Sequence, residues 1–180
     1  MPSTATERAG TDEPAALVRA AQRGSRDAFG VLYQRFGGYV YAILVARLPP
    51  DAATDLVHDV FVLALERLGS LREPAAFPGW IASIARHRAT DAMKRQPVME
   101  TIDDRHAAPP ARPEQRLDAA RALSAIHRLP EAYRETLVLR FVQGLTGPEI
   151  ADITGLTPES VRVNLHRGFK LLRAELGLAP

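Results

Sequence analysis

The chain has 180 residues, 46% of them hydrophobic, which is long and apolar enough to bury one ordinary core or two small ones. Its 23 lysines and arginines nearly balance its 21 aspartates and glutamates, so the formal net charge of +2 indicates no nucleic-acid partner unless the cations cluster locally. The absence of cysteine excludes disulfides, catalysis by a thiolate and zinc sites built on cysteine.

The sequence predicts neither a membrane-spanning helix nor a secretion signal. Its longest apolar run, YVYAILVA at residues 39–46, is far shorter than the roughly 20 residues that cross a bilayer. The first residues, MPSTATERAGTDEP, carry acidic groups and lack the apolar core of a signal peptide. We therefore expect a cytoplasmic protein with no membrane insertion.

The first half of the chain shows the apolar spacing of helices and no sustained alternation typical of strands. A small, polar tail at residues 1–14 is predicted to be disordered, and a helical domain is predicted over residues 15–95. Apolar residues three and four apart mark one face of an early helix: Phe29, Leu32, Tyr33 and Phe36. Gly37-Gly38 is expected to loosen that helix, and Pro49-Pro50 to separate it from a helix capped by Asp51.

Residues 96–113, QPVMETIDDRHAAPPARP, contain four prolines and few large apolar residues, which is typical of an extended, flexible linker. Three acidic residues cluster in it: Glu100, Asp103 and Asp104. Residues 114–180 show helical spacing again. The predicted fold class is therefore all-α, with two small helical domains joined by a flexible proline-rich linker.

The stretch EIADITGLTPESVRVNLHRGFK predicts a helix-turn-helix in the second domain. Thr146 and Glu149 fit a capping box at the start of its first helix. Gly155 suits the left-handed conformation that ends this helix, while Thr157 and Pro158 suit the cap and the first position of the next one.

The second helix of this motif has an apolar side and a side rich in basic groups. Spacings of four, four and three place one set inward: Val161, Leu165, Phe169 and Leu172. The opposite side carries groups suited to phosphates and base edges: Glu159, Arg162, Val163, His166, Arg167 and Lys170. The pattern is typical of a DNA-binding helix-turn-helix, and an ordinary helical hairpin with a solvated basic face is the alternative interpretation.

A second basic cluster ends the first domain, and aromatic residues precede it. The basic residues are Arg86, Arg88, Lys94 and Arg95, with His87 among them. Trp80 and Phe77 lie just upstream, and single-stranded nucleic acid is commonly bound by aromatic and basic groups together. For Trp80, a role as a core anchor is an equally open alternative.

Three stretches, in this order, resemble the extracytoplasmic-function sigma factors, which direct bacterial RNA polymerase to promoters. They are DAATDLVHDVFVLALERL (residues 51–68), FPGWIASIARHRATDAMKR (residues 77–95) and LPEAYRETLVLRFVQGLTGPEIADITGLTPESVRVNLHRGFKLLR (residues 129–173). The resemblance covers residues 15–176. It implies an alternative sigma factor that binds core RNA polymerase, recognises promoter DNA and helps to melt it, while the polymerase supplies the chemistry.

The first stretch resembles the family's polymerase-binding helix, which grips a basic coiled coil on the largest polymerase subunits. Asp55 and Asp59 are four residues apart and therefore share a helix face. The implied contact residues are Asp55, Leu56, His58, Asp59 and Val62. His58 stands where the family commonly has glutamine, which would make the contact sensitive to pH. A solvated acidic face is the alternative interpretation.

The second stretch resembles the helix that captures unpaired bases of the minus-ten promoter element. The loop SLREPAAFPG would form the base pocket, where stacking and hydrogen bonds offset the cost of unstacking a base. The implied contact residues are Arg72, Phe77, Trp80, Arg86, His87, Lys94 and Arg95. The family usually has asparagine at the place of His87, which leaves the base preference open.

The third stretch resembles the reader of the minus-thirty-five element. Arg162 can bind a guanine edge bidentately and Glu159 can accept from cytosine, whereas Arg167 and Lys170 are better placed for phosphates. The full implied set is Thr157, Glu159, Ser160, Arg162, Val163, His166, Arg167 and Lys170. The family often has Ser-Arg where this chain has Val163-Asn164, so the resemblance gives no promoter sequence.

Partners and rival functions complete the expectations. Many members of the family are held inactive by an anti-sigma protein, which makes such a protein an expected partner. The linker acids would either occupy the polymerase's basic nucleic-acid channel or act as a solvated spacer. No catalytic constellation, cofactor site or metal site is predicted.

Two rival functions differ from the sigma-factor interpretation. One is a helix-turn-helix regulator that binds duplex operators without polymerase. The other is a helical metalloenzyme, since Asp55-x-x-His58 and His87-x-x-x-Asp91 would each place two ligands on one helix face.

Overall fold

The computed structural model describes residues 5–95 and 113–178, with side chains described for residues 13–95 and 119–178. These residues form eight α-helices and two short 3-10 turns and contain no β-strand, which confirms the all-α prediction. The helices are α1 (Ala5–Gln22), α2 (Arg26–Val45), α3 (Pro50–Arg67), α4 (Phe77–Arg95), α5 (Pro113–His127), α6 (Glu131–Phe141), α7 (Gly147–Thr154) and α8 (Pro158–Glu175). The turns, Leu68–Ser70 and Pro74–Ala76, lie between α3 and α4. Residues 96–112 of the predicted linker, with its acidic cluster, lie outside the described residues.

The first helix begins earlier than the sequence predicted. α1 starts at Ala5, inside the stretch predicted to be a disordered tail, and Pro14 and Ala15 are already buried. Ala15 and Val18 enter the core at 4% and 0% exposure. Burial of this apolar face stabilises a helix that its polar composition alone did not indicate.

Two local predictions for α2 and α3 were wrong. α2 runs unbroken through Gly37-Gly38, because Phe36 and Val40 on either side are buried and their packing outweighs the weak helix propensity of glycine. Asp51 lies in the first turn of α3, whose cap is Pro49. A carboxylate in that turn still complements the positive end of the helix dipole.

Aromatic rings join α2, α3 and α4 into the core of the first half. The ring centroids of Phe36 and Phe77 lie 5.1 Å apart with the rings nearly edge to face, and those of Tyr33 and Phe61 lie 4.4 Å apart. Such pairs contribute about 0.5–1.5 kcal/mol each beyond the burial of their surface. This core fixes the orientation of α3 and α4, which carry the predicted polymerase and minus-ten contacts.

In the second half, α8 crosses α6 at Gly168. A Cβ atom on this residue would lie 3.0 Å from Leu137 Cδ1 and 3.1 Å from Tyr133 Cβ, so any side chain would press on both neighbours. The close approach that glycine permits sets the distance between the two helices.

The inward side of α8 is only partly the one that the sequence predicted. Val161 and Leu172 are buried as predicted, but Phe169 is 44% exposed and its ring packs on the exposed ring of Phe141, 5.5 Å away. Gly168 takes the inward place instead, because seven residues after Val161 complete almost two helix turns.

The two helical halves pack against each other, which the sequence did not predict. α6 packs on α2 and α7 packs on α4, and one cluster of buried apolar side chains runs through both halves. His127 Nε2 donates to the carbonyl oxygen of Val45, 2.6 Å away, because a carbonyl can only accept. A Cβ on Gly79 would lie 3.4 Å from the carbonyl oxygen of Asp152, so α4 meets the backbone of α7 directly.

Candidate nucleic-acid and polymerase interfaces

The helix-turn-helix begins with the predicted capping box. The backbone N–H of Thr146 donates to Glu149 Oε2 over 2.8 Å, and the Thr146 hydroxyl donates to the same oxygen over 2.7 Å. These two hydrogen bonds lower the pKa of Glu149 below its ordinary value, and the bond from the hydroxyl has the larger effect. The first turn of α7 is therefore fixed by its own side chains.

The turn between α7 and α8 also has the predicted geometry. Gly155 has a φ of 73°, in the left-handed region, and its N–H bonds the carbonyl oxygen of Ala151. Thr157 caps α8 by accepting from the backbone N–H of Ser160 over 3.1 Å, and their hydroxyls lie 2.9 Å apart. Thr157 and Ser160, both predicted promoter contacts, thus also hold the start of α8.

The outward face of α8 is open to solvent. The Arg162 side chain is 78% exposed, and its ion pair with Glu159 is long at 3.5 Å. Val163 is half-buried. The remaining predicted contacts on this face are exposed: His166, Arg167 and Lys170. The structure therefore presents the predicted basic groups together on one accessible surface.

The basic end of α4 is different, because two of its arginines are already bound. Arg86 Nε and Nη2 donate to Glu135 Oε1 over 3.0 and 2.8 Å, and Nη2 also donates to the carbonyl oxygen of Ile153 over 2.9 Å. Arg88 Nη2 pairs with Asp59 Oδ2 at 2.8 Å. The other predicted basic contacts of this region are exposed: Arg72, Lys94 and Arg95.

The two aromatic residues predicted to contact the minus-ten element, Phe77 and Trp80, differ in their exposure to solvent. Phe77, a predicted minus-ten contact, is fully buried between Phe36 and Trp80, so its ring offers no exposed face to a base in this arrangement. Phe77 opens α4, and its ring points into the core rather than out of the preceding loop. Trp80 is half-buried and remains accessible on one side.

Trp80 lines a cavity of about 260 Å³ between the end of α3 and the start of α4. The lining residues are Leu63, Arg67, Ser70, Trp80, Ser83, Ile84 and His87. His87 Nδ1 lies 2.8 Å from the carbonyl oxygen of Ser83. The other ring nitrogen, Nε2, takes no part in that hydrogen bond. The cavity combines an aromatic wall with a cation, an imidazole and two hydroxyls.

The predicted polymerase face of α3 is accessible along its length. Asp55 and His58 are exposed, Val62 is 44% exposed and Leu56 is half-buried. Asp59 is 52% exposed although it pairs with Arg88 of α4. The face therefore offers carboxylates beside apolar surface, and one of the carboxylates is tied to the neighbouring helix.

Sequence reasoning missed a charged residue at the contact between the two halves. Glu135 is only 8% exposed, and its Oε2 accepts from Arg47 Nη1 over 2.8 Å while Arg86 binds the other oxygen. An acidic residue in an apolar stretch such as ETLVLRF could have indicated a buried ion pair, because a buried carboxylate requires an ionic partner. The partners themselves could not be found that way, since Arg47 and Arg86 lie on α2 and α4.

The metalloenzyme alternative gains no support. The two pairs Asp55-x-x-His58 and His87-x-x-x-Asp91 do not converge, and within the described ranges no three His, Asp or Glu side chains are grouped to hold a metal ion. None of the helices in the described ranges is long and apolar enough to cross a membrane.

Family models match both halves of the chain. The model described as Sigma-70 region 2 matches residues 32–97, and the model described as Sigma-70, region 4 matches residues 119–172. The first span contains α3, α4 and most of α2, and the second contains α6, α7, most of α8 and the end of α5.

Curated relatives match along most of the sequence. RNA polymerase sigma factor CarQ of Myxococcus xanthus is 31% identical over 160 residues, covering 86% of this chain and 92% of CarQ. ECF RNA polymerase sigma factor ShbA of Streptomyces griseus is 34% identical over 145 residues, which cover 71% of this chain and 75% of ShbA. ECF RNA polymerase sigma factor BldN of Streptomyces coelicolor is 30% identical over 87% of this chain, which spans 63% of BldN.

A solved structure shares the fold. The structure of CnrH in complex with the cytosolic domain of CnrY superimposes with a TM-score of 0.70 at 25% sequence identity. The match covers 93% of this chain and 99% of that one, so it includes both helical halves.

Proposed function

The chain belongs to the extracytoplasmic-function family of RNA polymerase sigma factors, and we propose that it binds core polymerase through α3 and reads promoter DNA through α4 and α8. The observation that carries this proposal is the outward face of α8. It is an exposed basic surface on a helix whose cap, turn and buried side all have helix-turn-helix geometry. No enzymatic step is assigned to this chain, because the polymerase would supply the chemistry.

α8 would read the minus-thirty-five element in the major groove. Arg162 is free enough to leave its long contact with Glu159 and bind a guanine edge with both nitrogens. Glu159 is then available to accept from a cytosine amino group. Arg167 and Lys170, further along the exposed face, would contact phosphates and position the helix without adding sequence preference.

The cavity beside Trp80 is a better candidate for base capture than the loop that the sequence suggested. An unpaired base could stack on the exposed side of Trp80, and its polar edge could meet His87 or Arg67. Arg72, before α4, and Lys94 and Arg95, in its last turn, are exposed and would hold phosphates of the separated strand. Arg86 can join them only when its bonds to Glu135 are released.

The acidic and apolar face of α3 suits a basic surface of the polymerase. Asp55 and Asp59 would steer the encounter and fix its register, while Val62 and Leu56 would supply apolar contact. Asp59 must then share or exchange its bond with Arg88.

A protein partner that acts in the cytosol is part of the same proposal. CnrH binds the cytosolic domain of CnrY, and CnrH resembles this chain along nearly its whole length. We extend that behaviour to this chain and propose that an anti-sigma protein binds it in the cytoplasm.

Assembly and transcription test the proposal together. The full chain, mixed with core polymerase and a library of promoters, should form a stable holoenzyme and start RNA from a subset of them. Asp55→Arg with Asp59→Arg should abolish assembly and leave the helical circular dichroism unchanged, because it turns an acidic face basic. Asp55→Arg alone separates this effect from the bond between Asp59 and Arg88.

A matched control carries the same change in net charge elsewhere. Glu13→Arg with Asp27→Arg places it on α1 and α2, where both residues are exposed, and should bind polymerase as the wild type does. Unchanged polymerase affinity of the α3 variant would contradict the proposal. So would a wild-type chain that binds duplex DNA but never assembles with polymerase, which is the behaviour of a conventional regulator.

A further inference from the structure

Gln22, the last residue of α1, binds the backbone of the first turn between α3 and α4. Its amide nitrogen Nε2 donates to the carbonyl oxygen of Leu68 over 3.0 Å and to that of Leu71 over 2.8 Å. An amide nitrogen carries two hydrogens and a carbonyl oxygen can only accept, so the two bonds use both donors of the side chain. One side chain from another helix therefore ties the turn Leu68–Ser70 at its start and directly after its end.

The Gln22 side chain projects from backbone that is itself fixed. The N–H of Gly24 donates to the carbonyl oxygen of Ala21 over 2.9 Å, which closes a turn directly after α1. Ser25 then caps α2, because its side-chain oxygen accepts from the N–H of Ala28 over 3.2 Å. The two bonds from Gln22 thus connect a rigid corner of the fold to the turn between α3 and α4.

The turn that receives these bonds forms one edge of the cavity between α3 and α4. Leu68 and Leu71 point into the core, where they are 2% and 8% exposed. Arg67 and Ser70 line the cavity instead. The Ser70 hydroxyl donates to the carbonyl oxygen of Arg67 over 2.7 Å, which leaves the lone pairs of its oxygen to accept from a ligand. The backbone of the turn therefore sets where these two polar groups stand in the cavity.

We propose that Gln22 is a positioning residue for base selection at the minus-ten element, because it places Arg67 and Ser70 against the captured base. This role rests on the proposed function, in which the cavity takes an unpaired base of the minus-ten strand. Gln22 does not itself line the cavity. Bases differ in where their donors and acceptors lie, whereas stacking tolerates every base. A displaced turn therefore weakens the discrimination between bases more than it weakens their binding.

Gln22→Met separates this role from the folding of α1. Methionine resembles glutamine in length and helix propensity but donates no hydrogen bond, so it frees the turn without weakening the helix. Holoenzyme with this variant is tested on a promoter that the wild type transcribes, in a library with the minus-ten element randomised. The preference for the favoured minus-ten base should fall about fivefold, the usual value of one net hydrogen bond.

The minus-thirty-five element is the internal control. Its preference profile should stay unchanged, because among the described residues α8 contacts neither α1 nor the turn. A defect in stability alone would lower the amount of active holoenzyme and reduce transcription from every promoter by the same factor. An equal reduction for all minus-ten sequences would therefore overturn the proposal, and so would an unchanged minus-ten profile.

Two further variants test the chemistry of the bonds. Gln22→Lys restores N–H donors with a similar helix propensity, and it should return the minus-ten profile to that of the wild type. Gln34→Met makes the methionine exchange at an exposed position of α2 and should leave the profile unchanged. If Gln22→Lys selects no better than Gln22→Met, or if Gln34→Met loses as much preference, the proposal is overturned.

The fluorescence of Trp80 provides a readout that needs no polymerase. Trp80 is the single tryptophan of the chain and lines the cavity, so quenching by acrylamide reports how open the cavity is. Gln22→Met should raise the quenching constant of the free chain, and Gln22→Lys should not. A wild type that starts no transcription contradicts the proposed function. The quenching then decides alone whether Gln22 shapes the cavity, and an unchanged constant overturns that role.

A shorter amide covers the case in which Gln22→Met loses helical circular dichroism. Gln22→Asn then takes its place, because asparagine keeps the amide but is one carbon shorter and cannot hold both carbonyl oxygens at their present distances. It should flatten the minus-ten preference in the same direction and leave the minus-thirty-five profile unchanged. A minus-ten profile equal to that of the wild type would overturn the proposal.

Discussion

α8 and α4 both carry arginines suited to nucleic acid, but the two helices hold them in opposite states. On α8, the Arg162 side chain is 78% exposed, and the contact that it makes within the described residues is a long one, 3.5 Å to Glu159. On α4, the Arg86 side chain is 27% exposed and binds Glu135 and a carbonyl oxygen, while Arg88 binds Asp59. Arginines on two helices of similar length are therefore exposed to solvent on α8 but bound by neighbouring helices on α4.

This difference shows that the availability of arginines on a basic helix face depends on the acceptors that the neighbouring helices bring close to them. α8 is positioned by its own buried residues, Val161 and Leu172, and its outer side is exposed among the residues that the structure describes. α4 lies between α3 and α7, which bring an acid and a carbonyl oxygen within reach of its arginines. An engaged arginine contributes to DNA binding only after its partner is displaced, so its contribution is conditional.

The largest effect is expected where α8 is positioned. Gly168→Leu would drive a side chain into Leu137 and Tyr133 and should lower the free energy of unfolding by about 3 kcal/mol, the upper end of the range for overpacking. Denaturant unfolding measures it. The control is Gly30→Leu, also in a helix but facing open space, which should raise stability by about 0.5–1 kcal/mol. Equal behaviour of the two variants would show that the crossing at Gly168 does not orient α8.

The next effect compares the two arginines directly. Arg86→Met removes a guanidinium but keeps an apolar stem, and it leaves Glu135 with Arg47 as its closest cation. We expect a loss of about 2 kcal/mol in the free energy of unfolding, less than for a fully buried pair because Arg86 is partly solvated. Arg162→Met should change stability by less than about 0.5 kcal/mol, as is usual at the surface. Similar losses in the two variants would remove the distinction between an engaged and a free arginine.

A smaller effect separates reading from positioning on α8. Arg162→Ala should weaken holoenzyme binding to the preferred minus-thirty-five element by about 1–1.5 kcal/mol, at the low end for a bidentate contact because Glu159 already competes for it. Arg167→Ala should weaken binding to all sequences alike and reduce the salt dependence. Competition binding across a promoter library measures both. An unchanged sequence profile for Arg162→Ala would mean that this residue does not read bases.

The smallest effect concerns the cap that starts the helix-turn-helix. Glu149→Ala removes the acceptor of two hydrogen bonds from Thr146 and should destabilise the chain by about 0.5–1 kcal/mol at pH 7. Because folding lowers the pKa of Glu149, its contribution is full above the unfolded pKa and is lost as pH falls through the folded pKa. The difference from wild type should therefore shrink in unfolding curves measured under acidic conditions. A difference that stays constant as the pH falls would show that the ionised carboxylate of Glu149 is not its source.

The predictions that succeeded depend on short spacings. The capping box joins residues three apart, and the turn depends on the conformation of Gly155 alone. The prediction for Phe169 failed because it placed a side chain inward by spacing alone, where the packing of neighbouring helices decided. Helical spacing placed Phe169 on α8 and left Phe77 in the loop before α4, but the packing of neighbouring helices buries Phe77 and leaves Phe169 44% exposed.

By itself, the sequence determined the helices and the helix-turn-helix, because hydrogen bonds within a helix, caps and apolar periodicity involve residues only a few positions apart. Only the tertiary structure decided which basic groups are available. The partners of Arg86 lie 49 and 67 positions away, at Glu135 and Ile153. An ion pair forms only when its atoms come within about 4 Å, and for these residues that depends on α6 packing on α2 and α7 packing on α4.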